Sequence, residues 1–332
     1  MQRTWPWLAT LLLLGGCTID RLPGRPAETG APADVASIIR ARLDSLPGTT
    51  TFYAKDLTTG REIAIRADDP MNTASVIKIP VMVRAYRDHQ AGLLDLERRQ
   101  VIVPDDLRRG SGILQQFAVG LNPTLRDLVG QMIATSDNTA TDLLIGLVGL
   151  DRVNQMLDSL GYPVTRLRMT TGDLFKGIWV LADPANASLS MRDVYERGFP
   201  ADSGAEERIF TVARDTTHWL GAMTAREAGR MLEQLERGEL ADSAGTAWMR
   251  RHLLDQMYNS RLPQRISTRY PVSIGHKTGD IPPVIGNDVG ILYTPKGPIV
   301  VAVFTNENRG DFFLVASTIG HVARDLVEAW GK

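Results

Sequence analysis

Strand-like runs at both ends of the chain, with a long stretch of helical patterns between them, predict an α/β plus all-α fold. The arrangement is one discontinuous α/β domain interrupted by an inserted helical domain. Its 332 residues suit one large or two ordinary domains. With 43% hydrophobic and 23% charged residues, the composition is that of a globular chain, not a disordered one. The 37 Lys+Arg and 38 Asp+Glu leave a formal charge of −1. No basic field is therefore available for nucleic acid, and no nucleic-acid partner is expected. A single cysteine excludes an internal disulfide and a cysteine-cluster metal site. Five scattered histidines without a His-x-His or His-Glu-x-x-His pattern point to no metal, and no cofactor is expected.

At the N-terminus, Arg3 precedes Trp5-Pro6-Trp7-Leu8-Ala9-Thr10 and the apolar run Leu11 to Leu14. That run is too short to span a bilayer but suits the apolar region of a secretory signal. It ends in Leu14-Gly15-Gly16-Cys17, which resembles a bacterial lipobox, where the cysteine is lipidated and becomes the new N-terminus. The plain alternative is a free cysteine beside an ordinary cleavage site. Acyl chains contribute roughly 0.8 kcal/mol per buried methylene, so more than one chain anchors stably. Residues 1–17 are read as a lipoprotein signal peptide, and 18–32, rich in Pro, Gly and Ala, as a flexible tether. The body of the protein, 33–332, is then expected outside the cytoplasm on a membrane. Thr18, where an Asp would signal otherwise, favours the outer membrane.

Asp34 is placed to cap a helix carrying Val35, Ile38, Ile39, Leu43 and Leu46, which stops at Pro47-Gly48. Thr51 to Asp56 and Arg61 to Arg66 read as a hairpin around Thr58-Thr59-Gly60. A second helix is predicted over 75–90, with Pro80 in its first turn, where proline does least harm. Helical patterns follow at 124–133, 137–148, 151–160 and 224–237, with Thr124 and Thr224 as caps. The character changes near Arg269: Val272 to Ile274, Asp288 to Tyr293 and Ile299 to Thr305 read as strands. Turns are expected at Gly286-Asn287 and Pro295-Lys296-Gly297, and a helix over 312–330 closes the chain. The α/β part is thus about 33–90 and 265–332, the helical part about 91–264.

Three short motifs carry chemistry. In Ser75-Val76-Ile77-Lys78, positions i and i+3 share a helix face, so Lys78 can lie beside the Ser75 hydroxyl. A serine needs a base to act as a nucleophile, and burial can turn lysine into one by disfavouring the ammonium. A helix start adds backbone donors suited to a developing oxyanion. In Ser136-Asp137-Asn138 the hydroxyl can relay a proton, and the amide can bind a carbonyl and hold a lysine. His276-Lys277-Thr278-Gly279 sets a lysine beside a hydroxyl, suited to a substrate carboxylate, and Gly279 is expected to let a ligand approach the strand closely. Taken alone, the first motif reads sooner as a solvated helix face and the second as a plain helix cap, and the third has an exposed strand end as its plain alternative.

Together, in this order, the three resemble the signature set of the serine β-lactamase and penicillin-binding protein superfamily, and most closely class A β-lactamases. The spacing from Ser75 to Ser136 is similar to that family's. Gly110-Ser111-Gly112-Ile113-Leu114, Arg214-Asp215-Thr216-Thr217 at an Ω-loop exit, and Gly238-Glu239-Leu240 add to the likeness, which runs from about residue 34 to the C-terminus. The resemblance implies a β-lactamase/transpeptidase-like fold, with an antiparallel sheet flanked by helices. It also implies Ser75 as the acylated nucleophile, Lys78 as base or relay, and Ser136 as the shuttle to the departing nitrogen. Asn138 would contact the substrate's side-chain amide, while Lys277 and Thr278 would bind its carboxylate. The backbone N–H groups of Ser75 and of Asp280, after Gly279, would form the oxyanion hole. The implied partner is a small-molecule β-lactam or a peptidoglycan peptide, the membrane partner comes through Cys17, and the chain is expected to be a monomer.

Two departures from the class A pattern stand out. No Glu occurs between Glu97 and Glu196, so the deacylating carboxylate expected early in the Ω-loop falls to Asp173, within a segment of unusual length from Arg168 to Asp215. Glu196, Glu206 and Glu207 are expected as solvated loop charges. The strand after Lys277-Thr278-Gly279 carries no arginine for the substrate carboxylate; Arg261 and Arg269 are nearby alternatives but read as surface charges. The leading expectation is a β-lactam-opening serine hydrolase. A D,D-peptidase or penicillin-binding protein with slow deacylation is the second, and a non-catalytic sensor the third.

Overall fold

Side-chain alternation in the strands near the two chain ends builds a sheet buried on both faces. The computed structural model describes residues 34–266, 268 and 270–332, so Cys17, the tether and Arg269 lie outside the described residues. The strands are β1 (Thr49–Asp56), β2 (Glu62–Ile65), β3 (Met71–Asn72), β4 (Arg166–Leu167), β5 (Gly221–Met223), β6 (Ser273–Ile281), β7 (Ile285–Thr294) and β8 (Gly297–Asn306). Five of them pair antiparallel in the order β2-β1-β8-β7-β6, leaving β6 as an edge strand. In β8, Ile299, Val301 and Val303 face one core and Val300, Ala302 and Phe304 the other, the period of two expected of a strand.

The helices are α1 (Val35–Asp44), α2 (Lys78–Gln90), α3 (Leu125–Ala134), α4 (Asn138–Val148), α5 (Leu150–Ser159), α6 (Thr171–Ala182), α7 (Met191–Arg197), α8 (Ala205–Arg214), α9 (Ala225–Glu236), α10 (Ser243–Leu254) and α11 (Phe312–Leu326). α1 and α11 cover one sheet face through Ile39, Leu43, Ile319 and Leu326. α9 lies on the other face, so closely that a methyl on its Gly229 would stand 2.2 Å from the Tyr53 ring of β1. Beyond α9 the same core continues without a break into α2, α3 and α4 through Met82, Ile133 and Leu144. Sheet and inserted helices therefore share one hydrophobic core, and the boundary drawn at residue 264 crosses it. Among the described residues no helix is long and apolar enough to cross a membrane.

Several local expectations need correction. Gly286-Asn287 is not a turn: both lie in β7, opposite Asp280 and Gly279. The lack of a side chain at Gly286 makes room for Phe312 and Val315, and Asn287 bridges Asn72 O (2.9 Å) and the Thr305 N–H (2.9 Å). The chain turns instead at 282–284, where Val284 donates to Ile281 O. The second helix opens as a tight 3₁₀ turn over Ala74–Ile77 and becomes α-helical at Lys78. The long segment after Arg168 is no loop; it folds into α6, α7 and α8, the first two opened by capping boxes, Thr170 with Asp173 and Ser190 with Asp193. β3, β5 and β4 form a second, three-stranded sheet too short to leave an alternation in the sequence.

Phe304, fully buried where β8 meets the inserted helices, tests the shared core. Phe304→Ala should cost about 3–5 kcal/mol in urea unfolding and keep a single transition. Two separated transitions would show independent cores.

Candidate active site

Ser75 is set by its neighbours. Asn72 accepts from the Ala74 N–H through Oδ1 (3.0 Å) and donates to Val212 O through Nδ2 (3.2 Å). Ala74 is held at φ +42°, a left-handed conformation that costs a non-glycine residue of order 1–3 kcal/mol and that recurs at functional sites. Ser75 follows in the 3₁₀ turn, half-buried at the mouth of a cleft, and the Lys78 N–H donates back to Ser75 O. β6 passes directly over this turn: a methyl on Gly279 would sit 2.3 Å from Thr73 O and 3.1 Å from Val76 N. The close approach that Gly279 permits is therefore that of the serine turn itself.

The second motif closes on Lys78. Ser136 is also left-handed, at φ +55°, and Asp137 caps α4 by accepting from the Ala140 N–H (2.9 Å). The same carboxylate accepts from the Leu114 N–H (2.8 Å), while Ser111 Oγ donates to Ser136 O (2.7 Å), so the Gly110-to-Leu114 loop is tied to the motif. Lys78 Nζ donates to Ser136 O (2.7 Å), Ser136 Oγ (3.2 Å) and Asn138 Oδ1 (2.7 Å). Asn138 Nδ2 donates in turn to Arg109 O (2.8 Å). Lys78 has no exposed surface, and burial brings its pKa from 10.5 to about 7 against the opposing pull of Asp137 and Asp142. These contacts are neutral dipoles with no carboxylate among them.

Lys277 is buried as completely, donating to Thr278 O (2.8 Å), and its pKa lies well below the ordinary lysine value through burial and then repulsion by Lys78. Thr278 Oγ1 is buried without a hydrogen-bond partner. On the adjoining strand, the fully buried Asp288 accepts from the Leu262 N–H (3.1 Å) and lies 2.9 Å from His276 Nδ1. Arg261 is no surface charge: 3% exposed, it forms an ion pair with Asp280 and donates to Asn287 O (3.1 Å).

Ser75, Ser111, Ser136, Asn138 and Asp280 open into one cleft of ≈ 440 Å³. The structure gives Asp173 a different part from the one expected of it. It is exposed, accepts from Thr170 Oγ1 (2.7 Å) to close the α6 capping box, and does not line the cleft. Its neighbours do: Leu174, Phe175 and Ile178 form an apolar wall with Phe199, Ile209 and Leu220. Glu196 pairs with Arg192 (2.8 Å), Glu206 and Glu207 lie in the first turn of α8, and none of the three lines the cleft. Sequence reasoning missed this wall, although the Thr170 capping box followed by apolar residues at i and i+4 announces a helix there. Among the described residues no cluster of His, Cys, Asp and Glu is arranged to hold a metal.

Residues 34–330 match a family described as the beta-lactamase enzyme family. A beta-lactamase of Streptomyces fradiae is 28% identical over 91% of this chain and 88% of its own length. The crystal structure of a beta-lactamase from Sphaerobacter thermophilus superposes with a TM-score of 0.70 at 30% identity, over 89% of this chain and 96% of that one. PBP-A, at 20% identity and a TM-score of 0.70 over 90% of this chain and 96% of its own, shares the fold. The fold is that of the serine β-lactamases, with an antiparallel sheet and helices on both faces. The chain belongs to the beta-lactamase enzyme family.

The lowered Lys78 pKa has a measurable consequence. Between about pH 7 and 10.5 the unfolded chain holds a proton on this lysine that the folded chain does not, so stability rises with pH across that window. Below pH 7 the full penalty of a buried ammonium remains. Lys78→Met should flatten this rise in denaturant titrations at pH 7 to 9, leaving the contribution of Lys277, which has the same sign. An unchanged slope would place the titration elsewhere.

Proposed function

We propose that this protein opens β-lactam rings through an acyl-enzyme on Ser75. The observation that carries the reading is the buried Lys78 amine, held by Ser136 and Asn138 in the turn that presents Ser75 to the cleft. Ser75 Oγ attacks the lactam carbonyl as its proton passes to neutral Lys78. The C–N bond breaks while Ser136 delivers a proton to the ring nitrogen. Backbone N–H groups of Ser75 and Asp280 stabilise the oxyanion, each such donor being worth about 3–4 kcal/mol. Lys277 and Thr278, the latter with a buried hydroxyl that lacks a partner, receive the substrate carboxylate. Asn138 meets its side-chain amide. Water then cleaves the ester and frees Ser75.

The D,D-peptidase alternative is not favoured, because the Streptomyces fradiae relative and the Sphaerobacter thermophilus structure, at 28% and 30% identity, are named beta-lactamases, whereas PBP-A shares the fold at 20%. The sensor alternative lacks support, since Ser75, Lys78, Ser136 and Lys277 all keep their reactive groups. Cys17 and the apolar run before it support export and lipid anchoring, with the enzyme at the periplasmic side of the outer membrane. One chain supplies every site residue named here, which suits a monomer.

Mass spectrometry of the protein mixed with a penicillin should reveal a transient adduct on Ser75 that returns to free enzyme. Ser75→Ala should abolish it; labelling of that variant at another residue would overturn the assignment. Acylation rates should climb as pH passes through about 7, where Lys78 loses its proton. Because Asp173 serves the helix cap, Asp173→Asn should leave adduct lifetime within about twofold while losing of the order of 1 kcal/mol of stability. A trapped adduct would return Asp173 to the mechanism.

A further inference from the structure

The apolar wall of the cleft is built, and nothing in the acylation chemistry uses it. Asp142 on α4 accepts from the N–H groups of Thr171 (2.8 Å) and Gly172 (2.9 Å) and from Arg108 Nε (2.8 Å), which fixes the start of α6 against the helix that carries Asn138. From that start Leu174, Phe175 and Ile178 project into the cleft, with Leu174 and Ile178 almost wholly buried. Phe199, between α7 and α8, packs edge-on against Phe175 with ring centroids 5.1 Å apart, yet remains 46% exposed. Its backbone is clamped on both sides: Trp179 Nε1 donates to Gly198 O (3.0 Å) and Arg208 donates to Pro200 O (3.2 Å). A half-exposed phenyl ring held this firmly beside a reactive serine is a surface prepared for an apolar ligand group. The carboxylate that lines the cleft, Asp280, is already paired with Arg261, so a cationic side chain would meet no free carboxylate there.

We propose that the wall of Leu174, Phe175, Ile178 and Phe199 binds the acyl side chain of the substrate, selecting β-lactams with an uncharged, aromatic side chain over those with a small or charged one. This rests on the hydrolase reading and adds a specificity to it. These four residues touch the substrate's side chain and not the ring being opened, so they act on discrimination between substrates.

The test compares kcat/KM for three penams that differ only in the side chain: phenylacetamido, acetamido, and the phenylacetamido compound bearing an α-ammonium. The unsubstituted protein should prefer the first over each of the others by about tenfold or more. Phe199→Ala, at a half-exposed position, should lower kcat/KM for the phenylacetamido compound by about tenfold and leave the acetamido value within twofold, and Phe199→Leu should restore part of the loss. Equal losses on both compounds, no loss on either, or equal rates for all three side chains would overturn the proposal while leaving the acyl-enzyme reading intact. If none of the three labels Ser75, the hydrolase reading fails first and this inference with it.

Discussion

The site depends on burying one lysine completely and surrounding it with dipoles instead of a counter-charge. Lys78 reaches Ser136 O, Ser136 Oγ and Asn138 Oδ1 and no carboxylate oxygen. A carboxylate in contact would hold the proton on the amine, whereas neutral acceptors satisfy hydrogen bonds and leave burial free to expel it. The second buried lysine, Lys277, is lowered in turn by its own burial and then by repulsion from Lys78.

Holding an amine this way requires unusual backbone elsewhere. Ala74, which precedes Ser75, and Ser136, whose oxygens accept from Lys78, both sit at positive φ without being glycine. Their conformations persist because the surroundings leave no alternative: Asn72 fixes the first, and Ser111 with Asp137 fixes the second. The edge strand β6 completes the enclosure by lying so close over the serine turn that only glycine fits at 279. A single core shared by the sheet and the inserted helices holds these pieces in register.

Much of this was legible in the sequence. The three motifs, their order, the hairpin read at 51–66 and the strands after 272 carry local signals in the form of i,i+3 spacing, alternation and caps. The course of residues 168–215 was not legible, because the likeness to a loop-bearing family masked the capping boxes at Thr170 and Ser190. The capping role of Asp173 went unread for the same reason: an acid three residues after a threonine is first of all a cap. Arg261 could not be placed from sequence, since its burial depends on Asp280 and Phe312, which lie on other elements. The turn misplaced to Gly286-Asn287 reflects a residue type used here for close packing inside a strand.

The most direct test of the central claim is the ionisation of Lys78 itself, followed by the Nζ and Cε resonances of labelled protein, with the signal assigned by its disappearance in Lys78→Met. A titration near neutral pH, at about 7, is expected. A lysine that stays protonated to pH 10 in the folded protein would contradict it, because the proposed transfer of the Ser75 proton to Lys78 would then lack an acceptor.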